Sequence, residues 1–171
     1  MENSYNIQRW IDDGWHSTTK KLEYDYPDFS TYEIDSEVTS VLSIGIGAGR
    51  ELLPLRNYKL YGIDLVEKDD IDSFLEDYTY YKCAIRDFAD LDIADFHDMS
   101  DFLVVSRGGL MWESPKYQRS FIETVISRGC TNIILHDMMV GRYRLKLGPF
   151  EDLFNIELTS PDHPRILYYE H

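Results

Sequence analysis

Three glycines spaced two positions apart, Gly45, Gly47 and Gly49, interrupt an apolar run in "VLSIGIGAGREL" (41–52). Glycine at the end of a buried strand lets a ligand approach main-chain groups that a Cβ would block. The next apolar run, "KLYGIDLV" (59–66), carries Asp64 near its end, with Leu65 beside it. A carboxylate at a strand end can accept two hydrogen bonds from a ribose diol. A second acid, Asp87, follows the third run, and His136 and Asp137 close a fifth, "TNIILHD" (131–137). A histidine at such a strand end suits a general base, a group that orients an acceptor, or a side chain satisfied by a local carbonyl.

These residues need a scaffold that brings strand ends together. From position 41 onward, short strand-like runs alternate with helix-like ones. "GRELLPLRN" (49–57) predicts a short helix, with Pro54 removing a backbone donor, and "EKDDIDSFLEDY" (67–78) predicts another. "TYYKCAI" (79–85) and "DFLVVS" (101–106) are the third and fourth strands, separated by an acidic loop (86–99). The strongest helix pattern is "ESPKYQRSFIETVISRG" (113–129). Ser114 suits the N-cap, Pro115 the first helical position and Gly129 the C-terminal stop. Tyr117, Phe121, Ile122, Val125 and Ile126 give that helix one apolar face. Near the C-terminus, "FNIELTS" (154–160) and "RILYYEH" (165–171) are joined by too few residues for a parallel crossover, which predicts an antiparallel pair. The expectation is a Rossmann-like, doubly wound α/β fold: a mostly parallel seven-stranded sheet closed by the C-terminal antiparallel pair, with ligands outside the carboxyl ends of the strands.

With 171 residues the chain suits one domain, read as an N-terminal cap segment (1–40) and a core (41–171). Hydrophobic residues make up 43% and charged residues 28%, a globular composition. The formal net charge of −14 repels phosphate backbones, so unaided binding of nucleic acid is not expected. No apolar run approaches membrane-spanning length and the first ten residues lack a signal-peptide core, so the chain reads as soluble and cytoplasmic. Cys83 and Cys130 show no metal-ligand spacing and read as reduced core residues.

Three kinds of nucleotide site use glycines after a first strand. A phosphate-cradling loop requires a Lys and a Ser or Thr after its final glycine, whereas position 50 is Arg. The dinucleotide fingerprint G-x-G-x-x-G requires its third glycine one residue later than Gly49, which weakens an NAD-dependent oxidoreductase without removing it. The third kind enters by likeness: "VLSIGIGAGREL" resembles the first motif of the class I S-adenosylmethionine-dependent methyltransferases. "LYGIDLV" resembles their second-strand motif, "CAIRDFADLDI" the segment after the third strand, and "SDFLVVSRGGLMW" (100–112) the fourth strand and its turn. The resemblance implies S-adenosylmethionine as cofactor. It places Gly45, Gly47, Gly49 and Ser106 around the cofactor, Asp64 and Leu65 at its ribose, and Asp87 at the adenine amino group with Phe88 against the ring. The acid usual two residues before the first glycine is here Ser43, which implies a weaker contact at the cofactor's amino-acid end.

A sulfonium methyl group is already activated, so its transfer requires chiefly alignment with the nucleophile. The resemblance therefore fits a chain without an evident catalytic triad, with His136 and Asp137 as candidate acid–base groups. Arg107, Trp112, Trp15, Arg142 and Arg144 are the candidate contacts for a small-molecule acceptor. Strand four ends on Ser106 and Arg107 in place of carboxylates, so no metal is expected. The alternative is a methyltransferase-like subunit that holds the cofactor, or has lost it, and works through a protein partner; the macromolecular associations open to the chain are a protein partner or a homodimer.

Overall fold

In a computed structural model of the protein the residues described are 12, 28–110, 113–136 and 166–169, the last four and His136 through their backbone. Among the described residues six strands form one sheet: β1 (Ser40–Ile44), β2 (Lys59–Asp64), β3 (Thr79–Lys82), β4 (Phe102–Arg107), β5 (Asn132–His136) and β6 (Ile166–Tyr169), in the order β3-β2-β1-β4-β5-β6. Strands β1 to β5 are parallel, and β6 runs antiparallel to β5. The expected seventh strand, 154–160, lies outside the described residues, and the antiparallel partner of β6 is β5 itself.

Burial on both faces explains the near-continuous apolar strands. In β1 all five residues are buried, and alternate side chains enter different clusters. Leu42 and Ile44 pack with Val104, Ile133 and Leu135 on one face, against Phe121, Ile122 and Val125 of the helix α1 (Pro115–Ser127). Val41 packs on the other face with Leu103, Val105 and Ile134, against Leu52, Leu55 and Phe29. Each such side chain contributes roughly 1.5–3 kcal/mol on burial.

The helix α1 forms where its signals stand. Pro115 occupies the first turn, and Gly129 takes φ +93° just past the end, where a Cβ would strain the chain. The predicted apolar face is buried at Phe121, Ile122 and Val125, with Gln118 buried among them. The run 49–57 forms only a 3-10 helix, Arg50–Leu55, with Pro54 inside it. The helix expected over 67–78 is absent apart from a 3-10 turn, Lys68–Asp70. Asp69, Asp70, Asp72, Glu76 and Asp77 are crowded like charges on poor or repelling helix positions. The segment instead pins itself below the glycines: the Phe74 N–H donates to the Ala48 carbonyl at 2.8 Å, and the Ser73 hydroxyl to the same oxygen at 3.3 Å. Among the described residues no helix is long and apolar enough to cross a membrane.

Candidate functional site

Strand order decides where a ligand fits. The chain leaves β1 toward β2 on one side and returns to β4 on the other, so the sheet reverses its winding between β1 and β4. Open parallel sheets bind ligands outside the carboxyl ends of the strands at that point. Ile44 is paired with both Ile63 and Ser106, so β1, β2 and β4 end level with one another. Gly45, Asp64 and Arg107 therefore leave the sheet at one edge.

The loop after β1 is held by its neighbours. The N–H groups of Gly45 and Ile46 donate to the Ile63 carbonyl at 2.9 and 3.2 Å, and the Gly49 N–H donates to the Ile46 carbonyl at 2.8 Å. Gly45, Gly47 and Gly49 have φ of 66°, 48° and 75°, a region that disfavours side chains. Asp64 ties this loop to β2: its Oδ2 accepts the Gly47 N–H at 2.9 Å and its Oδ1 the Leu65 N–H at 2.7 Å. Those bonds orient the carboxylate at the edge of the sheet beside the glycines. The structure thus assembles Gly45, Gly47, Gly49, Asp64 and Leu65 as one unit.

Gly45 is in contact with the segment that follows β4. A Cβ on Gly45 would stand 2.8 Å from the Gly109 Cα, and a Cβ on Gly109 would stand 2.2 Å from the Ile44 carbonyl oxygen. The first glycine of the motif therefore clears another backbone as well as the strand edge. Ser106, 2% exposed, supports that segment from below by accepting the Leu110 N–H on its Oγ at 3.2 Å. Arg107 is paired in register with His136, which brings the ends of β4 and β5 together. Asp137, Trp112, Trp15, Arg142 and Arg144 lie outside the described residues.

Ser43 is fully buried, and its hydroxyl donates to Oε1 of Glu51 at 3.0 Å. Glu51, in the first turn of the 3-10 helix Arg50–Leu55, is 3% exposed. A carboxylate therefore does stand at the position-43 end of β1, carried in from the next element. The sequence signal for it is an acid lodged between Arg50 and the buried Leu52, one residue after the last glycine.

Asp87 is exposed in the 3-10 helix Ile85–Asp90, the element that follows β3. Phe88 is not at the ligand edge: it is fully buried, with ring centroids 4.8 Å from Phe121 and 5.5 Å from Phe96. An aromatic next to a loop acid can face either way, and here the α1 interface claims it. The Arg86 side chain makes two bonds to Glu113, Nε to Oε1 at 3.2 Å and Nη2 to Oε2 at 3.0 Å. Neither residue is marked in the sequence by a motif of its own. Cys83, at the foot of the same loop, is buried, and burial pushes its thiol up to about 12. It is a neutral packing group at physiological pH.

No protein-family model matches the chain, and no curated protein matches it in sequence. Solved structures do resemble it. Magnesium protoporphyrin IX methyltransferase from Synechocystis PCC 6803 with bound SAM aligns over 100% of both chains at 15% identity, with a TM-score of 0.55. The same enzyme with bound SAH aligns over 96% of this chain and 80% of that one at 16% identity, TM-score 0.53. A TehB-like SAM-dependent methyltransferase from Corynebacterium glutamicum ATCC 13032 aligns over 96% and 95% at 13% identity, TM-score 0.52. What is shared at these identities is the fold, that of the class I S-adenosylmethionine-dependent methyltransferases.

Proposed function

We propose that this chain binds S-adenosylmethionine and transfers its methyl group to a small-molecule acceptor. The observation that carries the reading is the Asp64 carboxylate, fixed beside the glycine loop by the Gly47 and Leu65 N–H groups at the edge next to the reversal of the sheet. A carboxylate so placed suits a ribose diol, and the positive-φ glycines leave the adjacent backbone without side chains. The residues present fit the cofactor at its other ends as well. Asp87 is exposed after β3, where an exocyclic amine needs an acceptor, and Glu51 brings a carboxylate toward the end of β1, where an ammonium needs a partner.

The cofactor supplies an electrophilic methyl group on a sulfonium. In this reading Asp64 and the glycine backbone hold the ribose, Asp87 the base, and Glu51 with Ser43 the amino-acid end. The segment after β4, fixed by Ser106 and Gly109, borders the acceptor side with Arg107 and Trp112. His136 or Asp137 takes a proton from the acceptor where the acceptor carries one. Arg142 and Arg144 belong to the densest basic run of an acidic chain, and they favour an anionic acceptor. Trp15, in the N-terminal segment, is a further candidate contact for the acceptor.

Calorimetry with S-adenosylhomocysteine and NADH tests the cofactor. Tighter binding of S-adenosylhomocysteine is the expected result, and tighter binding of NADH overturns the reading in favour of an oxidoreductase. A chain that binds S-adenosylhomocysteine but methylates nothing in a screen of metabolites, proteins and nucleic acids is the non-catalytic subunit.

A further inference from the structure

Arg86 follows β3 and Glu113 follows β4, yet the strand order sets β2 and β1 between those two strands. Asp64 and Gly45 stand at the carboxyl ends of the two intervening strands. The two bonds from Arg86 to Glu113, at 3.2 and 3.0 Å, thus join segments that originate on either side of the glycine loop and Asp64. The pair is held on further contacts. The Arg86 guanidinium lies 4.8 Å from the Tyr117 ring centroid, the Gln118 Nε2 donates to the Glu113 carbonyl at 2.8 Å, and the Glu113 N–H donates to the Leu110 carbonyl at 3.2 Å. The Glu113 side chain is 10% exposed and that of Arg86 35%, so solvent screens this pair less than it screens Arg119–Glu123, at 35% and 50% on the exposed side of α1. A two-pronged bond between a guanidinium and a carboxylate fixes direction as well as distance.

Both partners adjoin residues assigned to ligand contact. Arg86 directly precedes Asp87, and Glu113 directly follows Trp112. We propose that the Arg86–Glu113 pair is a positioning device that sets the spacing between the base-binding loop after β3 and the acceptor-side segment after β4. This inference rests on the cofactor reading above and deepens it. With the pair intact, Asp87 is presented at a fixed place relative to Asp64; with it broken, the start of the loop after β3 loses its tie to the segment after β4, while the Phe88–Phe121 contact still holds the loop to α1, and the bound base loses alignment. Neither residue touches the ligand in this scheme. The effect passes through Asp87 and the segment that carries Trp112.

The test is calorimetry with adenosine and with S-adenosylhomocysteine on the full chain, for wild type, Arg86→Ala, Glu113→Ala, the double variant, and Glu123→Ala as a control for an exposed pair. Each single variant is expected to raise both dissociation constants by roughly fivefold or more, the lower end of ordinary coupling between sites. The double variant is expected to match the weaker single variant, and Glu123→Ala to match wild type. Additive losses in the double variant, or single variants that melt at a lower temperature while keeping wild-type affinities, overturn the proposal and leave the pair a purely structural contact. Where an alanine variant does not fold, Glu113→Gln retains the side chain's shape, and the same affinity criterion applies to it. Wild type that binds neither ligand overturns the cofactor reading and this inference together, whereas wild type that binds both with unaffected variants overturns this inference alone.

Discussion

Ser43 and Glu51 share a buried hydrogen bond of 3.0 Å between the Ser43 hydroxyl and Glu51 Oε1. Position 43 is where resemblance to the methyltransferases implies an acid, and the substitution to serine alone reads as a lost contact. Glu51 restores a carboxylate to the same end of β1 from the neighbouring turn. The expected consequence is that Glu51→Gln weakens S-adenosylhomocysteine binding by about 1.5–3 kcal/mol, the range for hydrogen bonds to charged groups, while adenosine, which lacks the amino-acid end, binds as before. Calorimetry with both ligands checks this, and equal losses for the two would place Glu51 outside the amino-acid subsite.

Asp64, bonded to the glycine loop, and Asp90, exposed in the loop after β3, set the acid proposed for the ribose against a surface one. Asp64→Ala removes the acceptor that orients on Gly47 and Leu65, and a loss of about 1.5–3 kcal/mol in cofactor affinity is expected. Asp90→Ala is expected to change affinity by less than about 0.5 kcal/mol, as for surface substitutions generally. Matching losses in two folded variants, with folding verified by circular dichroism, would show the ribose site to be misplaced.

Gly109→Ala tests the close approach of two backbones. The added Cβ would stand 2.2 Å from the Ile44 carbonyl oxygen, a distance that no side-chain adjustment relieves because both partners are main chain. Overpacking of this kind costs about 1–3 kcal/mol, and the segment after β4 must move away from Gly45. Urea unfolding is expected to show a lowered midpoint together with weaker cofactor binding. A variant as stable as wild type would mean that the two loops lie further apart.

The two cysteines offer a check that needs no ligand. Cys83 and Cys130 are both buried, and burial pushes each thiol up to about 12. At pH 8 the native protein is expected to react negligibly with a thiol-specific reagent and to release two equivalents only in denaturant. Rapid native labelling of either residue would contradict the packing around the ends of β3 and α1.

Much of this arrangement was written into local sequence. The strands β1, β2, β4 and β5 follow from apolar runs closed by Gly45, Asp64, Arg107 and His136, and α1 from Ser114, Pro115 and Gly129. Local pattern failed where the outcome depends on distant partners. The run 67–78 sits where a crossover helix is expected, but its crowded acids disfavour one and Phe74 and Ser73 bond to Ala48 instead, a choice invisible without the glycine loop in place. Its neighbour Asp87 suggests a ligand-facing Phe88, whereas Phe96 and Phe121 fix its ring in the core. Glu51, Gly109 and the Arg86–Glu113 pair take their meaning from contacts that cross between elements, so single-residue types did not mark them.

The register of β1 has a consequence for how the site comes into being. Ser40 pairs with Lys59 of β2 across a short stretch of chain and with Phe102 of β4 across a much longer one. Loop-closure entropy grows only logarithmically, so the longer closure costs about 1 kcal/mol more, but pairings between remote segments form slowly. During refolding Gly45 and Asp64 therefore meet early, as neighbours in a local unit, while Gly109 joins them only when β4 docks against β1. On the proposed function, cofactor binding at this edge is expected to lag behind the recovery of the first strand pair and to rise with the rate at which the remote half of the sheet arrives.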